Sequence, residues 1–242
     1  VLTRARLAGE IPFDAIADPT RTVCNWKLDD QVGGFVRREL DGFLKGYFRN
    51  LQQSQPNYIE IIGEKNTIQT SVRDVAMEFC IPYTLGRGYC SLDPRYKMCQ
   101  RFRASGKERL IILILSDFDP EGEDIAYSFA RSMRDDFGVE IVPKKVCLTH
   151  GQVLARDLPQ TFDIKKKSAR YKKFAAKYGD RAHELEALSV AERSALLRRA
   201  IDEVIDVDAY NREIDAEAED AARIHVMRQK ALEALAKGGL GS

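Results

Sequence analysis

The stretch "LIILILSDFDPEGEDIA", residues 110–126, decides the fold. It opens with six consecutive apolar residues, Leu110 to Leu115, which is the length of a strand. A run without alternation suits a strand covered on both faces, as in the centre of a parallel sheet. Pro120 and Gly122 turn the chain, and an amphipathic helix is predicted over 121–137. Asp117 and Asp119 therefore stand where the strand ends.

Working outward, "YIEII" (58–62) reads as a first strand and "TIQTSVRDVAMEFC" (67–80) as a helix with Val72, Val75, Ala76 and Phe79 on one face. "IPYTL" (81–85) is a second strand. It is followed by a turn-rich loop, in which Asp93-Pro94 caps a helix running to about Arg103. "VEIVPKKVCL" (139–148) is the fourth strand. This alternation predicts an α/β fold: a Rossmann-like, mainly parallel four-stranded sheet flanked by helices, over residues 55–158. Residues 1–54 read as helical, with an amphipathic helix from about Asp29 to Asn50 whose apolar face carries Val32, Phe35, Leu40 and Tyr47. Residues 159–242 read as a helical C-terminal region. The chain begins without Met, inside what reads as a helix, and is expected to be a fragment.

Lys and Arg number 38 against 37 Asp and Glu, so a basic field over the whole chain is excluded and nucleic-acid binding needs a local patch. One exists: residues 163–178 hold seven basic residues and one acid. Residues 201–220 offset it with nine acids and one base, and read as a solvated face or a protein contact. The five cysteines (Cys24, Cys80, Cys90, Cys99, Cys147) follow no zinc spacing and read as reduced, mostly buried thiols. His150, at a strand-to-helix turn, reads as structural. No run approaches a membrane span and no secretory signal opens the chain, which points to the cytoplasm.

In open α/β sheets ligands collect at the carboxyl ends of strands. Asp117 and Asp119 can converge there on one hard cation, and Mg²⁺ takes one or two carboxylates plus waters and phosphate oxygens. The same pair also suits a solvated turn with Asp119 as the helix N-cap. Glu64 follows the first strand and, if the strands are neighbours, faces the same crevice. Gly86 and Gly88 let backbone approach a ligand, and Arg87 between them reaches for a phosphate.

Glu64, the Gly86/Gly88 turn and the Asp117/Asp119 pair resemble, in that order, a Toprim domain, the metal-binding fold of topoisomerases, bacterial primases and some nucleases. The finer resemblance is to the A-type subunit of DNA topoisomerase VI and the related meiotic double-strand-break protein, through Glu64-Lys65, Gly86-Arg87-Gly88-Tyr89 and the Asp-x-Asp-Pro-x-Gly of Asp117 to Gly122. It covers roughly 57–158. It implies Mg²⁺-dependent DNA cleavage and rejoining, with Glu64, Asp117 and Asp119 as catalytic and metal-binding residues, an ATPase partner, a homodimer and, in a prokaryote, a nucleoid setting. Lys65 and Arg87 are expected at DNA phosphates, as are Lys165, Lys166, Lys167, Arg170, Lys172 and Lys173 of the basic segment.

The family nucleophile is a tyrosine on an upstream winged helix. Tyr47, the only tyrosine before the first strand, lies in a different motif, "KGYFRN". The nucleophile is therefore expected outside this stretch, with residues 1–54 as the end of a winged-helix domain. Two other readings stay open: a Toprim nuclease using water, and a non-enzymatic module that holds DNA or a partner. An Asp-x-Asp-x-Thr phosphatase fits poorly, because Pro120 and Glu121 follow the pair.

Overall fold

In the computed structural model, which describes residues 2–12, 15, 26, 28–86, 91–156, 158, 162–164 and 170–237, strand β3 (Arg109–Leu115) is buried from its second residue onward. It pairs on one side with β1 (Asn57–Gly63) and on the other with β4 (Ile141–Cys147), while β2 (Tyr83–Leu85) extends the sheet beyond β1. All pairings are parallel and the order is β2-β1-β3-β4. The chain is thus an α/β protein with a four-stranded parallel sheet, as its strand-helix alternation predicts.

Alternate residues of β3 feed two cores. Ile111, Leu113 and Leu115 pack with Val72, Val75 and Ala76 of α3 (Gln69–Glu78), Val153 of α6 (His150–Arg156) and Leu197 and Ile201 of α8 (Val190–Asp202). Leu110, Ile112 and Ile114 pack on the other face with Met98 and Cys99 of α4 (Leu92–Ser105) and Ile125, Phe129 and Met133 of α5 (Pro120–Phe137). Each such side chain contributes about 1.5–3 kcal/mol on full burial, so covering both faces rewards an unbroken apolar strand. Among the buried charges, Glu60 of β1 is fully enclosed, and Arg101 answers both of its oxygens at 2.8 Å. A buried carboxylate is tolerated when paired in this forked manner.

Residues 47–223 form one compact unit, and residues 1–46 with 224–242 another. The stretch after residue 158 is not wholly helical. β5 (Phe162–Asp163) and β6 (Arg181–Ala182) form a small antiparallel sheet around α7 (Tyr171–Tyr178), ahead of α8 and α9 (Val207–Lys237). Two-residue strands carry no periodicity, so the sequence pattern gives no sign of them.

Two other expectations are corrected. α4 starts at Leu92 with Ser91 as its N-cap, ahead of Asp93. Pro94 fits its first turn because the amide hydrogens there have no intrahelical partner to lose. In the other unit, besides α1 (Leu2–Leu7), the helix expected over 29–50 is α2 (Val32–Gly42), with none of its residues buried. Leu44 and Gly46 take left-handed backbone (φ 53° and 81°), which stops the helix. Arg228 donates to the carbonyls of Leu40, Asp41 and Phe43 at its end. Tyr47 lies beyond that helix, 41% exposed, and donates a hydrogen bond to Asp220 at 2.8 Å. No described helix is long and apolar enough to cross a membrane.

Candidate active site

The chain leaves β1 toward β2 on one side of the sheet, and leaves β3 toward β4 on the other. The crevice between the carboxyl ends of β1 and β3 is therefore the switch point at which open α/β sheets bind ligands. Gly63 and Leu115 are register partners, and the Glu64 amide continues the ladder by donating to the Leu115 carbonyl at 3.0 Å. This brings the two acidic motifs to one rim. Glu64 Oε2 accepts the Asp117 amide hydrogen at 3.0 Å.

Asp117 is 4% exposed and both of its oxygens are engaged. Oδ1 accepts from the Leu185 amide at 2.8 Å, and Oδ2 lies 2.8 Å from Lys65 Nζ. The Lys65 ammonium also reaches Glu186 at 3.2 Å and Glu184 at 3.4 Å. Residues 183–188 come to the rim because Phe118 and His183 exchange both backbone hydrogen bonds, at 2.8 and 3.1 Å. Arg193, 5% exposed, secures that segment by donating to the Leu185 and Leu188 carbonyls and to Ser71 Oγ.

Asp119 caps α5: its Oδ1 accepts the Gly122 amide hydrogen at 2.6 Å, with Pro120 in the first helical position. Gly122 is required sterically. A Cβ there would lie 2.1 Å from the Asp117 carbonyl oxygen. The Asp-x-Asp-Pro-x-Gly spacing is thus a tight strand-to-helix corner that holds two carboxylates. Lys145 of β4 braces the corner from below, donating to the Asp117 carbonyl at 2.9 Å and to Glu123 at 2.6 Å.

Burial raises the proton affinity of Glu64, and the charges of Asp117 and Asp119 add to it against the opposing bond from the Asp117 amide. Asp119 is likewise pushed up, by burial first and then by Asp117 and Glu121, against its bond from Gly122. Burial works against the charge of Lys65, but Asp117 and Glu186 outweigh it and hold its pKa above the ordinary lysine value.

Among the described residues, no group of three or more His, Cys, Asp or Glu side chains is arranged to hold a metal ion. The chemistry of the acids fits a smaller set. Asp117 is committed to Leu185 and Lys65. Glu64 Oε1 and Asp119 Oδ2 accept no hydrogen bond among the described residues, and burial disfavours the charge on both carboxylates, with Lys65 and Lys145 offsetting only part of it. Two carboxylates completed by water and phosphate oxygens are within the ordinary ligand set of Mg²⁺.

Comparison of the chain with protein-family models, curated proteins and solved structures finds no match.

The remaining expected residues divide. Gly86, the residue after β2, borders the same small cavity as Glu64, about 20 Å³. Arg87, Gly88, Tyr89, Lys165, Lys166 and Lys167 lie outside the described residues. Lys65, expected at a phosphate, is turned onto three carboxylates. Arg170 pairs with Asp124 at 2.7 Å, and Lys172 and Lys173 are exposed on α7. His150 stacks on Phe118 and packs on Tyr178, a structural role, and Cys99 and Cys147 are buried thiols. Burial lifts the Cys147 thiol to about 12. Sequence reasoning assigns no role to Lys145, Glu184, Leu185, Glu186 or Arg193. For Lys145 a signal exists: "PKK" interrupts an otherwise apolar strand.

Proposed function

We propose that this chain is a Toprim-type core for Mg²⁺-dependent cleavage of DNA strands, resembling the A-type subunit of DNA topoisomerase VI. The observation that carries the reading is the contact of Glu64 with Asp117 across the switch point, with Asp119 close enough to raise the proton affinity of Glu64. These are the three acids that the resemblance selects, and they come from two adjacent strand ends.

The chain's own residues divide the work. Glu64 keeps Oε2 on the Asp117 amide, which fixes its rotamer and leaves Oε1 for a ligand. Asp119 does the same with Oδ1 on Gly122 and leaves Oδ2. Asp117 anchors Lys65 and the 183–188 segment, so it positions the rim and holds a fixed cation beside it. A bound Mg²⁺ would neutralise charge on the scissile phosphate and the leaving oxygen.

The nucleophile available to this stretch is water. The Tyr47 hydroxyl donates to Asp220 at 2.8 Å, and Tyr47 lies outside the motif that carries the family nucleophile. A cytoplasmic, nucleoid-associated setting and an ATPase partner belong to the topoisomerase-like reading of the whole protein.

The test is a supercoiled-plasmid assay with Mg²⁺, with and without protease. Nicked or linear DNA with free ends, lost in Glu64→Gln and Asp119→Asn, supports the reading and assigns water as nucleophile. A protease-sensitive DNA adduct assigns a tyrosine instead. No cleavage by the parent protein, or cleavage retained in both variants, overturns the proposal.

A further inference from the structure

A cavity of about 300 Å³ opens beside the acidic corner, between α5 and α7. Its wall begins at Pro120, the residue after Asp119, and continues through Asp124, Arg170, Lys173, Lys177 and Tyr178. The acids in this wall are already answered. Asp124 pairs with Arg170 at 2.7 Å, and Glu123 is held by Lys145 at 2.6 Å and by the Tyr178 hydroxyl. Lys173 and Lys177 are exposed and, among the described residues, pair with no carboxylate. They stand four residues apart on α7, so they share one face with Cβ atoms about 5–6 Å apart. The Lys177 ammonium rests 4.7 Å from the Tyr178 ring centre, which keeps it at the cavity mouth. Tyr178 is fixed in turn by packing on Phe118, His150 and Phe174. The surplus charge of the cavity is therefore positive, Lys177 lies over a packed aromatic ring, and the cavity wall begins one residue from Asp119.

We propose that this cavity is a phosphate subsite for a nucleic-acid strand, in which Lys173 and Lys177 hold neighbouring backbone phosphates of the strand that crosses the acidic rim. The assignment of the strand rests on the proposed cleavage function; the anion chemistry of the cavity does not. An acidic rim repels a polyanion unless cations flank it, and these two lysines supply the flank. Lys172, expected from the sequence at a phosphate, lies on the same helix but outside the cavity; this subsite therefore excludes it, and it is the internal control.

The test is fluorescence anisotropy with a labelled 20-base-pair duplex and the matching single strand, in EDTA, over 50–200 mM salt. Each phosphate neutralised on duplex DNA contributes about 0.9 to the slope of log K against log salt. Lys173→Ala/Lys177→Ala is expected to lower that slope by about 2, Lys173→Ala alone by about 1, and Lys172→Ala by much less. An unchanged slope in the double variant, an equal loss in Lys172→Ala, or no binding by the parent chain overturns the proposal. Displacement of the duplex by millimolar inorganic phosphate at constant ionic strength assigns the cavity to a free anion and overturns the strand assignment. Lysine-dependent binding with no cleavage of any plasmid leaves this subsite standing while removing the cleavage reading.

Discussion

Replacing Gly122 by alanine tests whether the corner that carries the acids is as tight as described. The added methyl would meet the Asp117 carbonyl oxygen at 2.1 Å, where real Cβ contacts stay beyond 3.0 Å, and the obstacle is backbone with no rotamer to change. The first turn of α5 must therefore move by roughly an ångström. Overpacking of this kind costs about 1–3 kcal/mol. The shift also stretches the 2.6 Å bond from Gly122 to Asp119, a cap contributing about 1 kcal/mol. The better helix propensity of alanine returns about 0.5–1 kcal/mol. The net expectation is a loss of about 2–3 kcal/mol. With a urea dependence of about 2–3 kcal/mol per molar, the midpoint falls by roughly 1 M, read by circular dichroism. Gly151→Ala is the control, because a methyl there meets nothing within 4 Å; it should be neutral or slightly stabilising. A Gly122→Ala midpoint equal to that of the parent chain, or equal losses at both glycines, refutes the reasoning.

Three further outcomes are expected. Arg193→Met removes a buried guanidinium and leaves the Leu185 and Leu188 carbonyls without their donor, costing about 3 kcal/mol in the same urea titration; a loss under 1 kcal/mol contradicts the assigned role. Glu213 is held below the usual glutamate range, first by its hydrogen bond from Arg49 at 2.6 Å. Its contribution is therefore present above about pH 4.3, its unfolded value, and disappears as pH falls through the lower folded value. The gap in thermal midpoint between the parent chain and Glu213→Gln should be widest near neutrality and narrow as the pH falls below about 4.3; a gap independent of pH contradicts this. Cys99 and Cys147 should resist iodoacetamide in the native protein and react on unfolding, by peptide mass mapping, since burial holds both thiols protonated; native labelling of either contradicts their burial.

What is legible in the sequence follows from what is local. β3 announces itself because both of its faces are covered, and α5 because Pro120 and Gly122 are demanded by the corner itself. The acids are legible because each lies within a few residues of a recognisable strand end. α2 looks longer in the sequence than it is because the apolar spacing continues past Gly42, while the left-handed backbone at Leu44 and Gly46 that ends it leaves no trace in hydrophobic periodicity. The partners of Asp117 are hidden for a different reason. Leu185 is 68 positions away and Glu186 is 121 positions from Lys65, and a backbone amide has no residue type to recognise. Charge and position alone make Asp117 a candidate metal ligand; its ion pair with Lys65, the residue after Glu64, is not legible from either.

In the proposed function the spare oxygens of Glu64 and Asp119 hold one divalent cation at the switch point. Electron paramagnetic resonance of Mn²⁺, titrated into the chain in place of Mg²⁺, tests it without requiring any DNA substrate. The account predicts one bound Mn²⁺ per chain, weakened at least tenfold in Glu64→Gln/Asp119→Asn, a variant that keeps both hydrogen-bond acceptors and hence the fold. No bound Mn²⁺ in the parent chain, or the same affinity in the double variant, would contradict it.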